Sequence, residues 1–281
     1  MVNCIPSSGF KLPMQAGLRR NINDVFLINA SGLAPRLITL NAVNNMKKYS
    51  LLSALFLGIY SLCSQTVPEP PKGMVYVESG DFIMGSEIGD PDEKPIHTAF
   101  TQAFFIDAYE VSNAEFSKFD SSYTFSDKEK SNAAIVTWSQ ANGYAQWAGK
   151  RLPTEIEWEK AARGTDGRLF PWGDTFDNSY VVWDQRSSRG TSIAKPESPY
   201  GCFDMAGSVW EWTADWYKPY PENKTPMEQY GEKYKVMRGG SSFNNMSFFR
   251  CSQRYYLLPE DIRAYPVGFR CVKNIDKKNE N

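Results

Sequence analysis

The chain has 281 residues and one histidine, His97. A single imidazole excludes any metal centre built from several histidines. Cysteine is scarce too. The five present are Cys4, Cys63, Cys202, Cys251 and Cys271, and no C-x-x-C pair occurs among them, which argues against zinc ribbons and thioredoxin-like redox motifs. No apolar run is suited to spanning a bilayer: the uncharged stretch Tyr49–Leu62 offers about 14 residues where a membrane helix needs about 20. A basic excess is missing as well. Residues 1–64 hold six basic residues and one acid, which leaves 25 basic against 31 acidic residues in the remainder, a net charge near −6. A body of that sign repels phosphate, so Arg-Gly-Gly at 238–240 is not read as an RNA-binding box and no nucleic-acid partner is expected.

What is present begins with a leader. "MKKYSLLSALFLGIYSLCSQ", Met46–Gln65, has two lysines, an apolar run and then small residues, the layout of a secretory signal. Its internal position makes residues 1–45 an expected upstream extension of the reading frame, without structure; a transit-like leader over 1–45 is the rival. Residues 46–64 are then the signal peptide, cleaved near Gln65, and 65–73 a Pro-rich linker, so the mature protein is exported to the periplasm, the cell surface or the medium. A lipid anchor on Cys63 is disfavoured, because Leu62 stands where a lipoprotein signal needs a small residue. Cleavage leaves three cysteines, an odd number for an exported protein.

Composition beyond the leader suits a packed core, with 42% apolar and 14% aromatic residues over the whole chain. "MVYVESGDFIMGS" alternates about Ser79-Gly80-Asp81 and predicts a β-hairpin. A strand to Val111 precedes a helix capped by Ser112 and Glu115, with Phe116 and Phe119 on one face. A second helix within "SQANGYAQWAG" is apolar at Ala141, Tyr144, Ala145 and Ala148. A third follows the Thr154–Glu157 capping box and stops at Gly164. Glu115, Glu155, Glu157 and Glu159 read as groups on helix surfaces. After Gly164 periodicity fades, and eight tryptophans are available to anchor Gly- and Pro-rich loops. "YKVMRGG", "FRCSQRYY" and "VGFRCVK" predict three final strands, and a polar tail runs from Asn274 to Asn281.

Several blocks, "FFIDAYEVSNAEF", "WAGKRLPTEIEWEKAARG", "FPWGD", "YGCFDMAGSVWEW", "VMRGGSSF" and "VGFRC", resemble the formylglycine-generating enzymes, or sulfatase-modifying factors, in order and spacing. The resemblance runs from Met74 to Val272. It implies an α+β fold over 74–273, a single compact, loop-rich domain that is a variant of the C-type-lectin-like fold. The family's reaction oxidises a cysteine of a sulfatase peptide to formylglycine with oxygen, at copper held by two cysteines. Those positions fall at Asn244 and Phe249, in a segment a few residues shorter than in the active enzymes. Soft Cu(I) takes thiolates, so no catalytic residue is assigned and copper is not expected. Cys251 and Cys271 match disulfide positions whose partners fall at Ala145 and Ala162, so they either pair with each other or are buried thiols. Calcium remains a weak candidate at Ser208, where the family's Gly-Asn-x-Trp-Glu-Trp has its Asn, and at Glu211; a second calcium site's Asn falls at Val181. Related iron oxygenases need a histidine cluster that His97 alone cannot make, so His97 reads as a surface or structural residue.

Gly239 and Gly240 are expected to form a tight turn, Arg238 and Arg270 structural ion pairs, and Ser242, Asn244, Asn245 and Ser247 a hydrogen-bonding surface. The leading expectation is a non-catalytic binding or structural module of this family for a protein, peptide or glycan in the cell envelope, with no cofactor required. The alternative is an oxidoreductase acting on cysteine thiols through a divergent site at Cys202, Cys251 or Cys271. Solvent access to a thiol separates the two. A purely structural partner inside an envelope complex is a third reading.

Overall fold

The computed structural model describes residues 68–181, 183 and 198–275. The expected upstream extension 1–45, the expected signal peptide 46–64 with Cys63, the cleavage expected near Gln65 and tail residues 276–281 lie outside the described residues. The elements are β1 (Met74–Val77), β2 (Gly80–Met84), β3 (His97–Thr101), β4 (Phe104–Asp107), α1 (Asn113–Phe116), α2 (Trp138–Trp147), α3 (Glu155–Arg163), β5 (Trp210–Trp216), β6 (Lys235–Arg238), β7 (Tyr255–Leu257), β8 (Val267–Gly268) and β9 (Val272–Asn274). They form a sheet ordered β1-β4-β9, a ribbon β2-β3 and a sheet ordered β7-β6-β5-β8, in which only the β5–β8 pair is parallel. No helix among the described residues is long and apolar enough to cross a membrane.

The expected hairpin does not form. β1 pairs with β4 (Met74 opposite Asp107) and β2 with β3 (Gly80 opposite Thr101), so the two halves of the alternating stretch enter different sheets. A tight hairpin turn of the I′ type needs positive φ at two successive residues, and here Gly80 alone has it, at φ +143. The chain therefore swings across instead of reversing, and Met74–Val77 finds β4, whose four residues are all buried.

Helix starts follow side-chain chemistry. Ser112 and Glu115 cap α1 reciprocally, and Thr154 and Glu157 do the same for α3, with Glu157 Oε2 accepting from Thr154 N at 2.9 Å. α2 begins earlier than expected, because Thr137 and Gln140 make a third capping box. α1 is a single turn, with Phe119 beyond it, yet the Phe116 and Phe119 rings still meet at 5.6 Å.

The last strands are shorter than the sequence suggested. Arg250–Arg254 forms no strand, since Arg250 and Ser252 turn onto the buried Glu93 and Arg254 onto the buried Glu155. "VGFRCVK" is split: Val267–Gly268 lies beside β5, whereas Val272–Asn274 pairs with β4. Between them Arg270 is pinned by the carbonyls of Asp107, Ala108 and Phe203, and the chain hands over from one sheet to the other. Asn274, expected to open the tail, closes β9 opposite Phe104.

Trp158, Trp210 and Trp212 are fully buried. Trp212 Nε1 donates to Val136 O at 2.9 Å and Trp158 Nε1 to Glu211 Oε2 at 2.8 Å, so these two indoles fix a loop and a strand while filling the core, whereas Trp210 Nε1 has no hydrogen-bond partner among the described residues. Truncating such a residue costs about 3–5 kcal/mol.

Candidate functional site

The segment after β6 is shaped by two glycines. Gly239 and Gly240 have φ +94 and +73, and a Cβ on Gly240 would lie 2.8 Å from Phe248 O. The turn they make brings Ser241 under Asn244, whose Oδ1 accepts from both the N–H and the hydroxyl of Ser241 at 2.8 Å. Asn245 Oδ1 accepts from Ser247 N at 3.0 Å and also from its hydroxyl, heading the 3-10 turn Met246–Phe249. Of the four surface candidates, Asn245 and Ser247 are exposed, while Ser242 and Asn244 are half-buried. Both amide oxygens are thus committed to shaping the loop. Sequence reasoning passed over the apolar residues between them: Phe243 is 75% and Met246 57% exposed. Large apolar side chains set among Ser and Asn in a loop were the available signal.

The two positions that the resemblance assigns to copper-binding cysteines do not fit that metal. Asn244 presents an amide oxygen already taken by Ser241, and Phe249 is fully buried among Phe170, Val181 and Ala206, with Trp183 edge-on at 5.4 Å. A phenyl ring wedged into an aromatic cluster has no lone pair to offer and leaves no room for a thiolate pair.

The three described cysteines are unbonded and buried. Burial pushes the Cys202 thiol up to about 11 and that of Cys251 up to about 12, and raises Cys271 well above the ordinary thiol value. Cys251 shares a core cluster with Ala162, and Cys271 shares another with Ala145, so each thiol sits among the alanines named above.

At the calcium candidates, both carboxylate oxygens of Glu211 are engaged by Arg270 at 2.7 Å, and Oε2 also accepts from Trp158. Ser208 is buried at φ +55, and its hydroxyl has no hydrogen-bond partner among the described residues. Val181 lies in the aromatic cluster beside Phe249. Among the described residues no three His, Cys, Asp or Glu side chains converge to hold a metal ion.

Glu155 and Glu159 are not surface groups. They are buried with Arg163, Arg238 and Arg254. Arg254 forks onto Glu155 at 2.7 and 2.9 Å, Arg238 bridges Glu155 at 3.1 Å and Glu159, and Arg163 reaches Glu159 at 2.7 Å. Burial pushes Glu155 towards the neutral form, but Arg254 and Arg238 outweigh it and hold its pKa below the ordinary value. Glu157 is half-buried, forked with the partly exposed Arg151. Near the buried network, His97 Nδ1 lies 2.8 Å from Pro95 O and its ring meets Tyr220 edge-on at 5.1 Å.

Residues 61–275 match the family model of the sulfatase-modifying factor enzyme 1-like domain. The chain is 34% identical over 236 residues to "Serine/threonine-protein kinase pkn1" of Chlamydia caviae, a match covering 72% of this chain and 38% of that protein, so the chain spans well under half the length of that relative. It is 32% identical to the formylglycine-generating enzyme of Bos taurus, over 73% of this chain and 75% of the enzyme. It is 27% identical to "Inactive C-alpha-formylglycine-generating enzyme 2" of Mus musculus, over 74% and 88% of the two chains. Among solved structures, PvdO from Pseudomonas aeruginosa superposes with a TM-score of 0.59 at 21% identity, covering 74% of this chain and all of that one, a likeness of fold. The fold is the α+β, loop-rich C-type-lectin variant that the sequence motifs implied, and the chain belongs to the sulfatase-modifying factor enzyme 1-like domain family.

Proposed function

We propose that this chain is an exported, non-catalytic member of the family, a module that binds a protein, peptide or glycan in the cell envelope through the Ser242–Ser247 loop. The observation that carries the reading is the occupancy of the two metal-ligand positions by a turn-forming amide and a core phenyl ring. The 27% identity to an inactive mouse relative supports it, since the family includes members described as inactive. Burial of Cys202, Cys251 and Cys271 weighs against a thiol oxidoreductase, because the thiolate is the reactive form and water cannot reach any of the three. Exposed Phe243 and Met246, flanked by amide and hydroxyl groups, supply the mixed apolar and polar character of a recognition surface.

The test is incubation with copper, a reductant and a cysteine-containing sulfatase peptide, followed by mass spectrometry. The expected result is no formylglycine beyond a metal-only blank; conversion above that blank overturns the non-catalytic reading. Mass analysis of exported protein should place the mature N-terminus near Gln65, and a lipid on Cys63 or retention of residues 1–45 contradicts the export route.

A further inference from the structure

The ribbon β2-β3 leaves one edge of β3 without a partner strand among the described residues. A cleft of about 550 Å³ borders it, within the size range of ligand sites. Four consecutive β3 residues, His97, Thr98, Ala99 and Phe100, line this cleft. Successive strand residues point to opposite faces, so a cavity touching all four meets the strand at its edge, where N–H and C=O groups await partners.

The floor is apolar: Met84, Ala99 and Tyr220 are buried together, and Phe100 stands at the rim, 54% exposed. The opposite wall is the end of β5. There Asp215 accepts from Glu155 N at 2.6 Å through one oxygen, while its other oxygen takes no hydrogen bond among the described residues. Lys235, which also lines the cleft, is a cation whose charge acts on Asp215. Lys235 donates to Ala214 O and lies 3.8 Å over the Trp216 ring and 4.0 Å over that of Trp138, Lys218 pairs with Glu232, and Arg254 is forked onto Glu155. What remains for a ligand is the open carboxylate oxygen of Asp215, an acceptor that a basic side chain can reach beside Lys235.

We propose that this cleft binds a peptide in extended conformation, paired with the free edge of β3. A large apolar side chain lies over Met84, Ala99 and Tyr220, and a neighbouring basic side chain meets Asp215. The mode is strand addition, in which main-chain hydrogen bonds give affinity and the side-chain sites give selectivity. It does not rest on the Ser242–Ser247 surface, because no residue of that loop lines the cleft.

The probe is the blocked hexapeptide acetyl-Thr-Lys-Val-Phe-Val-Thr-amide, titrated into the full chain by calorimetry with amide NMR. The expected result is saturable binding with Kd below about 1 mM and the largest amide shifts at 97–101. Two further peptides carry N-methyl groups on alternate amide sets, so that one of them cannot pair with the edge and binds at least about tenfold more weakly. Asp215→Asn, which keeps an acceptor for Glu155 N, weakens the peptide at least about fivefold without changing the melting temperature, and a Lys-to-Glu peptide suffers similarly. Absence of saturable binding, shifts confined to other residues, equal binding of both methylated peptides, equal binding of phenylalanine amide, or indifference to Asp215→Asn would each overturn the proposal.

Discussion

Replacing Glu155 by Gln removes one charge from the buried network while keeping its shape. Arg238 retains Glu159 as a partner, but Arg254, itself buried, keeps one amide oxygen, the carbonyls of Asp92 and Lys218 and the more remote charge of the Asp92 carboxylate. One buried guanidinium loses its carboxylate, a change worth about 3–5 kcal/mol, and the surviving carbonyl bonds put Glu155→Gln near 3. For a domain of this size that is a fall of about 6–12 °C in melting temperature. Glu157→Gln is the control: its partner Arg151 is partly exposed, Gln preserves the cap on Thr154, and the loss should stay below about 1 kcal/mol. Urea unfolding followed by circular dichroism measures both. The difference should also depend on pH. Because the Glu155 carboxyl is held below its ordinary value of 4.5 in the fold, its stabilisation is complete above that value and is lost as pH falls through the folded pKa. The gap between wild type and Glu155→Gln should therefore close on acidification. A cost no larger than that of Glu157→Gln at pH 7, or a gap that widens in acid, refutes the reasoning.

With Cys4 and Cys63 replaced by Ser, the native chain should resist a thiol reagent at pH 7.5, since burial holds Cys202 near 11 and Cys251 near 12; labelling within minutes without denaturant contradicts this. Ala162→Cys should oxidise onto Cys251, its neighbour in the core cluster, and closing a loop of about 90 residues should add about 4–5 kcal/mol in a chain-entropy treatment, as non-reducing peptide mapping and urea unfolding would report. Asn244→Ala should cost about 1–3 kcal/mol, because it strands two donors of the fully buried Ser241, whereas Asn245→Ala on the exposed turn should cost less than about 1. Equal effects of the two on unfolding would show that the Ser241 bonds contribute little.

Helix starts were legible because a capping box is a local contract between residues three apart, and Ser112–Glu115 and Thr154–Glu157 both form. Strand pairing was not, since Met74–Met84 looks the same locally whether it folds on itself or seeks partners 13 to 33 residues away. The helix-face rule also failed for Glu155 and Glu159. It treats charge as exposure, and nothing near α3 in the sequence reveals that Arg238 and Arg254 will arrive 83 and 99 residues later to match them. For the candidate loop, the identities of Asn244 and Phe249 were readable, but not that one would organise a turn and the other plug an aromatic cluster.

The sheet β1-β4-β9 has a bearing on how this unit is joined to other protein. Met74 enters opposite Asp107 and Asn274 leaves opposite Phe104, on strands that flank the same β4. Two strand spacings across and three residues along put entry and exit about 14 Å apart. A short surface loop of a host protein spans such a gap, so grafting 74–274 into a permissive loop of an unrelated carrier should yield two independent melting transitions.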